Sequence, residues 1–424
     1  MPLKIYILKM KNKTYINLIK VNSFILYILP ISLVTGPFIP NLIVTISSLI
    51  GLFLIIYNKK WNYFDNKFFK FFFIFSTYLI VTSILNKNFS LNYVSGYTYL
   101  RYGIFSITLW HVLDCNNNFF KNFTKSVLLT VLIIFIDAIF QYFNETNLLG
   151  IEKSSYNRIS SFFGRDVKLG AYLARIYLFC FLFIYLFTKK GSLNIIYLNL
   201  INILFVIIIL LTGERTSFLI FFLNIILINL TIKENFIKKI FILFIVLFTA
   251  VIIFKTTKDI KIRYIDSTVA QFKESNVSGY NLFSKTHENH YKIAIRMFND
   301  NKVIGQGPNS FRNLCENEKF RISPKNEGCS THPHNIYVQL LGETGLIGFL
   351  FVLIAFIYVF FQFINGLIKT HANKINNKIF LFYVPLCVYL FPFIPTGNFF
   401  NSWVNIIVYL PLGFLLKEIY SKYD

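Results

Sequence analysis

The stretch INILFVIIILLTGERTSFLIFFLNIILINL, residues 201–230, decides the fold of this chain. It contains two apolar runs of helical length that are separated by a polar turn of a few residues. The apolar residues follow one another directly, without the spacing of an amphipathic helix, and residues 241–254 have the same character. Runs of about 20 apolar residues match a bilayer core of about 30 Å. The sequence therefore predicts a helical protein that crosses a membrane repeatedly.

The composition also indicates that the chain lies in a lipid bilayer. Hydrophobic residues make up 55% of the 424 residues and charged residues only 14%, whereas a soluble globular chain has about 25% charged residues. The formal net charge of +23 would suit a nucleic-acid-binding protein, but the lysines lie in short clusters between apolar runs. The positive-inside rule requires such clusters. We therefore interpret the charge as a topology signal and expect no nucleic-acid partner.

The apolar runs predict about twelve transmembrane helices. Their approximate spans are residues 18–36, 38–57, 68–86, 97–114, 126–143, 168–188, 193–211, 216–232, 238–254, 335–365, 379–396 and 399–417. Basic clusters after the second, sixth, eighth and tenth spans fall on one side of the membrane if both termini are cytoplasmic. We therefore predict an all-α integral protein of the bacterial inner membrane, with one polytopic domain over residues 1–424. The lysine-rich start is expected to be an uncleaved signal anchor, because a second apolar stretch follows directly.

The segment 255–334, between the ninth and tenth spans, differs from the other connections. It has about 80 residues, of which 13 are Lys or Arg and 8 are Asp or Glu. Long loops cross a membrane largely regardless of their charge, so we expect this segment in the periplasm. Such long loops are usually functional or disordered, and Tyr291, Ile295 and Phe298 have helical spacing. We expect one or two short helices over the membrane surface that carry much of the active site.

The five cysteines divide into two groups. Cys115, Cys180 and Cys387 lie in or beside apolar segments, where a cysteine is most simply a packing residue. Cys315 and Cys329 lie in the long loop, 14 positions apart. A periplasmic location would allow a disulfide between them. The alternative is two free thiols.

The strongest local signal is STHPHNIYVQLLGETGLIG, residues 330–348, at the start of the tenth span. Asn335, Gln339 and Glu343 are spaced by four and therefore share one face of a helix. Polar groups at membrane depth are costly and normally face a cavity or a partner. The tenth apolar run is too long for one span, and Gly345 lies near its start. We therefore expect its first turns to leave the membrane or to line a cavity.

Two histidines precede this polar face. His332 and His334 lie at the predicted interface, and an imidazole is suited to take a proton from a hydroxyl group. We interpret the pair as functional. The alternative is that either histidine only caps the helix or hydrogen-bonds the loop.

The second signal is LTGERTSF, which places Glu214 and Arg215 in the turn between two apolar spans. The positive-inside rule disfavours an arginine on the outer side, so a negative group should compensate it. The planar guanidinium fork is suited to phosphate oxygens. A bound anion is our interpretation, and a local Glu214–Arg215 pair is the alternative.

Two further stretches bring basic residues to the same side. RISSFFGRDVKLGAYLARI begins at Arg158 and leads into the sixth span. HENHYKIAIRMFNDNKVIGQGPNSFR runs from His287 to Arg312 and contains His290 and Arg296. Its glycine-rich part reads as a tight turn. A dinucleotide-binding motif is excluded, because no buried strand precedes these glycines.

Metal chemistry finds less support in the sequence. The loop histidines His287, His290, His332 and His334 could make a zinc site, but no carboxylate or thiol is clearly committed to it. The Asp-x-Asp triplet that is typical of nucleotide-sugar glycosyltransferases with a divalent cation does not occur. We therefore expect neither a metal nor another cofactor.

Together these stretches resemble the superfamily of O-antigen ligases and O-antigen polymerases of the bacterial envelope. The resemblance covers about residues 155–350. It rests on R-x-S-x-x-F-G with L-G-x-Y-L at 158–173, G-E-R-T at 213–216, G-x-G-P-x-S-F-R at 305–312 and H-P-H-N-x-Y-x-Q-L-L-x-E-x-G at 332–345. The first 150 residues are similar to the superfamily only in having apolar spans.

The resemblance implies an inverting, metal-independent glycosyltransferase. Such an enzyme takes a glycan from undecaprenyl pyrophosphate at the periplasmic face and passes it to a sugar hydroxyl. Arg215 resembles the pyrophosphate-binding arginine of the superfamily, and His334 resembles its essential histidine. The second loop arginine of the superfamily has no clear counterpart, and Arg296 or Arg312 are the candidates.

The residue patterns and the resemblance to the superfamily together predict one active site. Arg215 stabilises the pyrophosphate as it leaves, His334 accepts the proton of the acceptor hydroxyl, and Glu343 or Glu214 orients either of them. A cavity between spans is expected to hold the polyprenyl tail. Further substrate contacts are predicted for Arg158, Glu214, His290, Arg296, Arg312, His332 and Asn335.

The acceptor remains open. A polymerase would use the next lipid-linked repeat unit and a ligase a lipid A core sugar; the wording of the motifs at 158–173 and 213–216 favours a polymerase. A flippase for the same lipid is a further alternative, although flippases tend to have short loops and internal repeats. A non-catalytic scaffold has no positive support. The expected partners are the lipid-linked glycan, its acceptor, membrane lipids and other proteins of polysaccharide assembly.

Overall fold

The computed structural model describes residues 2–86, 92–154, 157–187, 192–276, 284–323, 327–371 and 378–420. These residues form an all-helical structure, and no β-strand occurs among them. The helices are α1 (Pro2–Ser32), α2 (Phe38–Tyr57), α3 (Lys67–Leu85), α4 (Asn92–Cys115), α5 (Phe119–Asn144), α6 (Leu169–Phe187), α7 (Ser192–Leu211), α8 (Arg215–Thr231), α9 (Phe236–Thr256), α10 (Lys258–Lys261), α11 (Ser267–Asn276), α12 (Lys285–Asp300), α13 (Phe311–Leu314), α14 (Ile336–His371), α15 (Lys378–Leu381), α16 (Tyr383–Tyr389) and α17 (Ser402–Tyr420). One turn of π-helix, Ile262–Asp266, joins α10 to α11.

The apolar helices make this a multi-pass membrane protein. Within the described ranges, nine helices are long and apolar enough to cross a membrane. α8 and the stretch Ile379–Tyr389 are apolar but shorter, while α4 carries Arg101, His111 and Asp114. Each of the twelve predicted spans thus overlaps a helix. That the chain crosses the membrane twelve times stays a prediction.

The bounds of the last two predicted spans need correction. In the predicted span 379–396 the helix ends at Tyr389. Residues 390–401, here called the 390–401 linker, contain turns but no helix. Pro392 and Pro395 explain this end, because proline lacks a backbone N–H and disfavours helix in the preceding residue. α17 therefore begins at Ser402 instead of residue 399.

Some predicted features lie outside the described residues. They include parts of the long loop, 277–283 and 324–326, and four lysines used to predict the cytoplasmic side, Lys189, Lys190, Lys374 and Lys422.

α4 lies at the centre of one group of helices and packs against α2, α3 and α17. Tyr99 of α4 stacks on Phe72 and Phe399, with ring centroids 5.9 and 5.4 Å apart. At the other end of α4, Asp114 forms an ion pair with Lys417 of α17 and accepts a hydrogen bond from the Tyr63 hydroxyl at 2.6 Å. These contacts fix the end of the bundle opposite the long loop.

α14 is broken at Gly345, whose φ of 62° and ψ of −166° are not helical. The apolar stretch Ile336–Lys369 has 34 residues, which at 1.5 Å per residue exceeds the ~30 Å of a bilayer core. The part of α14 before the break packs against α12. That the first turns of this run leave the membrane stays a prediction.

The segment between α9 and α14 has a small core of its own. It is formed by Ile293, Ala294, Met297, Phe311, Cys315 and Phe320. Cys315 and Cys329 form a disulfide, with their Cα atoms 5.1 Å apart. The helix expected in this segment is present as α12, but its buried face consists of His290, Ile293, Ala294 and Met297, while Ile295 is exposed.

Replacing Gly305 by alanine is expected to destabilise this segment. Gly305 has a φ of 67°, and a Cβ atom there would come within 2.5 Å of the backbone nitrogens of Thr344 and Gly345. Gly150→Ala is the matched control, because its φ is 77° but nothing lies within 4 Å of the added Cβ. In detergent, thermal unfolding of Gly305→Ala should show a loss of about 1–3 kcal/mol beyond that of Gly150→Ala. Equal losses would contradict the close backbone contact.

Candidate active site

Three arginines converge on the turn between α7 and α8. Arg158 donates from Nε to the Thr212 carbonyl at 2.7 Å, and Arg263 donates from Nε to the Gly213 carbonyl at 3.4 Å. Arg215 is the first residue of α8. Burial lowers the pKa of Arg158, and the charges of Arg263 and Arg215 lower it further, while Glu214 opposes them. The three side chains therefore share one positive field.

The acidic residue of this turn is committed to the helix beside it. Glu214 accepts hydrogen bonds from the backbone N–H groups of Gly170 and Ala171, at 2.7 and 3.0 Å, and from the Ser217 hydroxyl at 2.8 Å. A carboxylate at the N-terminus of α6 is favoured by the helix dipole. Glu214 thus stabilises a structural junction, and a single carboxylate leaves the three-arginine cluster with surplus positive charge.

Arg215 has neutral partners. Its Nη1 donates to Thr268 Oγ1 at 2.9 Å and to Gln271 Oε1 at 3.1 Å, both on α11. In the described part of the chain no ion pair joins Arg215 to Glu214. The alternative of a self-contained pair in the turn is therefore not what the structure shows. A partly buried cation held by neutral oxygens can still bind an anion.

Two side chains of α5 hold the loop that carries Arg158 in place. Gln141 Oε1 accepts the backbone N–H groups of Ser160 and Ser161 at 2.8 and 2.7 Å. Asp137, one turn earlier, accepts the Ser161 hydroxyl at 2.5 Å and the Leu148 N–H at 2.9 Å. Sequence reasoning missed both residues. The signal was there, since an Asp and a Gln four positions apart interrupt an apolar span.

Four histidines gather at the other side of the candidate site. The ring centroid of His334 lies 4.2 Å from that of His332, 5.4 Å from that of His290 and 5.5 Å from that of His287. His287 and His290 come from α12, while His332 and His334 precede α14. The packing of α12 against α14 therefore brings together two pairs that are more than 40 positions apart in sequence.

Three of these histidines use a ring nitrogen to hold the fold. His290 Nδ1 donates to the Gly328 carbonyl at 2.6 Å, and His332 Nε2 donates to the Thr396 carbonyl at 3.2 Å. His287 Nδ1 lies 2.8 Å from the Ser284 hydroxyl. Among the described residues none hydrogen-bonds the ring of His334. Its imidazole is the one of the four in which neither ring nitrogen is hydrogen-bonded to a described residue.

The backbone of His334 is also unusual. Its φ is 59°, in the left-handed region that non-glycine residues seldom adopt. The Thr396 N–H donates to the His334 carbonyl at 2.9 Å and holds this conformation. Backbone strain of this kind concentrates at functional sites, where surrounding structure maintains it. No feature of the sequence predicts this conformation.

Burial disfavours the charged form of three of these histidines. It lowers the pKa of His334 from 6.5 to about 3, with further lowering by His332, His287 and His290. Burial likewise lowers the pKa of His332 to about 4. The pKa of His287 is lowered by burial, then by His290 and by the charge of Arg215. That last influence links the histidines electrostatically to the three-arginine cluster.

Asn335 serves as a helix cap. Its Oδ1 accepts the N–H groups of Tyr337 and Val338 at 2.9 and 3.2 Å, and its Nδ2 donates to the Pro392 carbonyl at 2.7 Å. The side chain is buried. The structure thus gives this predicted substrate contact a positioning role, in which it fixes both the start of α14 and the 390–401 linker.

Glu343 and Gln339 form a buried network. Glu343 accepts the backbone N–H groups of Asn309 and Phe311 at 3.0 and 2.9 Å, and the Gln339 amide at 2.9 Å. Gln339 also donates to Asn398 Oδ1 at 2.8 Å. The predicted shared face of these residues is therefore present. Its hydrogen bonds hold the 305–312 turn, and among the described residues they do not reach Arg215 or a histidine.

The two predicted loop arginines differ in placement. Arg296 donates from Nη1 to the carbonyls of Phe320 and Arg321, so it holds the small core of the outer segment. Arg312 is exposed, and its charge contributes to lowering the pKa of His332. Arg263 is the loop arginine that joins Arg158 and Arg215, and sequence reasoning missed it. The signal that could have found it was weak, a lone arginine five residues after Lys258.

No metal-binding arrangement is found in the described residues, where no three His, Cys, Asp or Glu side chains are placed to hold an ion. The arrangement can instead bind an anion beside a neutral imidazole.

The comparisons with known proteins agree with these motifs. The O-antigen ligase family model matches residues 200–353. The match runs from α7 into α14 and includes Arg215, Arg263 and the four histidines. It confirms the resemblance to the superfamily of O-antigen ligases and polymerases, and this part of the chain is similar to membrane enzymes of that type. No curated protein matches the chain significantly.

Titration of His334 tests the electrostatics of the site. In substrate-free protein its pKa should lie near 3, well below the ordinary 6.5. An anion bound at the three-arginine cluster favours the imidazolium, so added inorganic pyrophosphate should raise this pKa. Histidine-selective NMR measures both values. In Arg215→Gln protein the rise should vanish, and a substrate-free pKa of 6.5 or above would contradict the buried, neutral cluster.

Proposed function

We propose that the protein transfers a glycan from undecaprenyl pyrophosphate to a sugar hydroxyl at the periplasmic face of the inner membrane. The observation that carries this proposal is the combination of the three-arginine cluster with His334, whose ring makes no hydrogen bond to any described residue. The arginines suit the two phosphate charges of a pyrophosphate diester. The neutral imidazole suits a hydroxyl that must lose a proton.

The proposed reaction is a single displacement. His334 takes the proton of the acceptor hydroxyl as its oxygen bonds to the anomeric carbon from the face opposite the pyrophosphate. The bond between that carbon and the phosphate oxygen breaks, and the electron pair leaves with the undecaprenyl pyrophosphate. Arg158, Arg215 and Arg263 stabilise this charge. The configuration inverts, no metal is required, and His334 later releases its proton to solvent.

An apolar groove gives the proposed lipid tail a place. A cavity of about 390 Å³ lies between α3, the later part of α14, α16 and α17. It extends from Lys67 and Tyr420 at one end of the bundle to Tyr389 and Phe399 at the other. The Phe399 N–H donates to Gln339 of the buried network. The groove thus approaches the candidate active site from within the membrane.

Two acceptors are considered. The motif wording at 158–173 and 213–216 favours a polymerase, which would extend lipid-linked repeat units. A ligase would instead use a lipid A core sugar, and the family match at residues 200–353 is compatible with both acceptors. Both readings use the same donor site and the same base.

Transfer by purified protein in EDTA tests the function and both acceptors. Undecaprenyl-pyrophosphate repeat units would be supplied with and without a lipid A core acceptor, to wild type, His334→Ala and Arg215→Ala. A ladder of longer lipid-linked chains supports the polymerase, and product only with core acceptor supports the ligase. Either variant should lose at least about 100-fold in rate. Undiminished transfer in both variants would contradict the assignment of the active site. Translocation of the lipid-linked unit without glycan transfer would favour a flippase.

Two arginine variants separate the observed cluster from the sequence-based expectation. Arg263→Gln should lower kcat/KM for the donor about 10- to 100-fold, the loss expected when a charge-assisted hydrogen bond to phosphate is removed. Arg296→Gln removes an arginine of the same segment that bonds only to backbone carbonyls among the described residues. It should lower the melting temperature more than kcat/KM. A reversed order of the two effects would return Arg296 to the donor site.

A further inference from the structure

Arg175 is a basic residue inside the helix bundle that the proposed reaction does not use. It lies on α6 within the apolar stretch Leu169–Phe187, and its Nη1 donates to the Ala171 carbonyl of its own helix at 3.0 Å. In the described ranges no carboxylate forms an ion pair with it. A guanidinium has five N–H donors, so most of its hydrogen-bonding capacity faces its surroundings.

Those surroundings form a small cavity whose mainly apolar lining includes a few polar side chains. The cavity has a volume of about 20 Å³, and its lining includes Arg175, Asn224, Tyr389 and Thr396. The Tyr389 hydroxyl and the Thr396 hydroxyl are buried and have no hydrogen-bond partner among the described residues. Both residues are more than nine-tenths buried, with exposures of 8% and 6%. Buried polar groups are normally paired, by protein or by ordered water.

The volume of this cavity and its polar lining groups indicate what it can bind. A cavity needs roughly 10–15 Å³ to hold one water, which typically makes about three hydrogen bonds. This cavity meets the volume and offers a cation and two hydroxyl groups. A phosphate group or an isoprenoid unit is too large for it. One water molecule is therefore the ligand that satisfies all three side chains.

Thr396 connects this cavity to the histidines. Its carbonyl accepts the hydrogen bond from His332 Nε2 at 3.2 Å, and its N–H donates to the His334 carbonyl at 2.9 Å. Thr396 belongs to the 390–401 linker, which has no helix to hold it in place at this point. Whatever anchors the Thr396 side chain therefore also anchors the left-handed backbone of His334.

We propose that Arg175, Tyr389 and Thr396 bind one ordered water that anchors the 390–401 linker and thereby positions His334. The three are positioning residues, since they act through Thr396 and not on the substrate. The consequence for glycan transfer rests on the proposed function. The consequence for the His334 imidazole does not, because it follows from the fold alone.

Isosteric variants test this water site. Thr396→Val and Tyr389→Phe each remove one hydroxyl and keep the shape of the side chain. We expect turnover to fall about 10- to 100-fold with little change in donor KM, because a base displaced by about 1 Å loses this much. The His334 pKa should rise toward 6.5, since a less firmly held ring is better hydrated. Arg175→Lys should retain more turnover than Arg175→Met.

Thr108→Val is the matched control. Thr108 has an equally buried hydroxyl without a partner, on α4 away from the site, and its variant should match wild type in turnover and in the His334 pKa. Melting temperatures of all variants exclude unfolding as the cause. If Thr396→Val and Tyr389→Phe behave like Thr108→Val in both measurements, the water site is overturned. If wild type shows no transfer, the proposed function fails, but the pKa measurement still decides the positioning role.

Discussion

The hydrogen bonds from the start of α6 to the Glu214 carboxylate are the interaction on which the candidate active site depends. They join α6 to the turn before α8, and they take up the acidic charge of that turn. Arg158 and Arg263 then bond to the carbonyls of the same turn. Because Glu214 is committed to a helix N-terminus, the positive charge of the three arginines is left for an anion from outside the protein.

A second constraint comes from the membrane. Polar groups inside an apolar bundle must find partners within the protein, and here those partners hold the non-helical segments. Asp137 and Gln141 fix the loop of Arg158, while Gln339 and Glu343 fix the 305–312 turn and the end of the 390–401 linker. These polar side chains therefore serve mainly to hold the site in place. A polar residue near the site that makes no such hydrogen bond is the better candidate for contact with a substrate.

His334 is the residue left free in this way. Its neighbours in the histidine cluster hold carbonyl or hydroxyl oxygens, and its own backbone is kept in a left-handed conformation by Thr396. Burial lowers the pKa of His334 and so disfavours its imidazolium form, and the charge of Arg215 lowers the pKa of the neighbouring His287. An anionic donor would reverse that field at the moment of binding. The base would then gain basicity only when the leaving group is in place.

The sequence by itself predicted the membrane environment and the order of the apolar helices, and its motifs, with the resemblance they carry, singled out Arg215 and His334 as candidate site residues. These follow from local properties, namely unbroken apolar runs, costly polar residues within them and short motifs. Only the tertiary structure decided that Arg263 joins the cluster, that Arg296 and Asn335 support the fold, and that Glu343 holds a turn. The physical reason is that these roles depend on contacts across some 20 to 60 positions. Such contacts form where irregular segments fold back between helices, and no periodicity in the sequence records them.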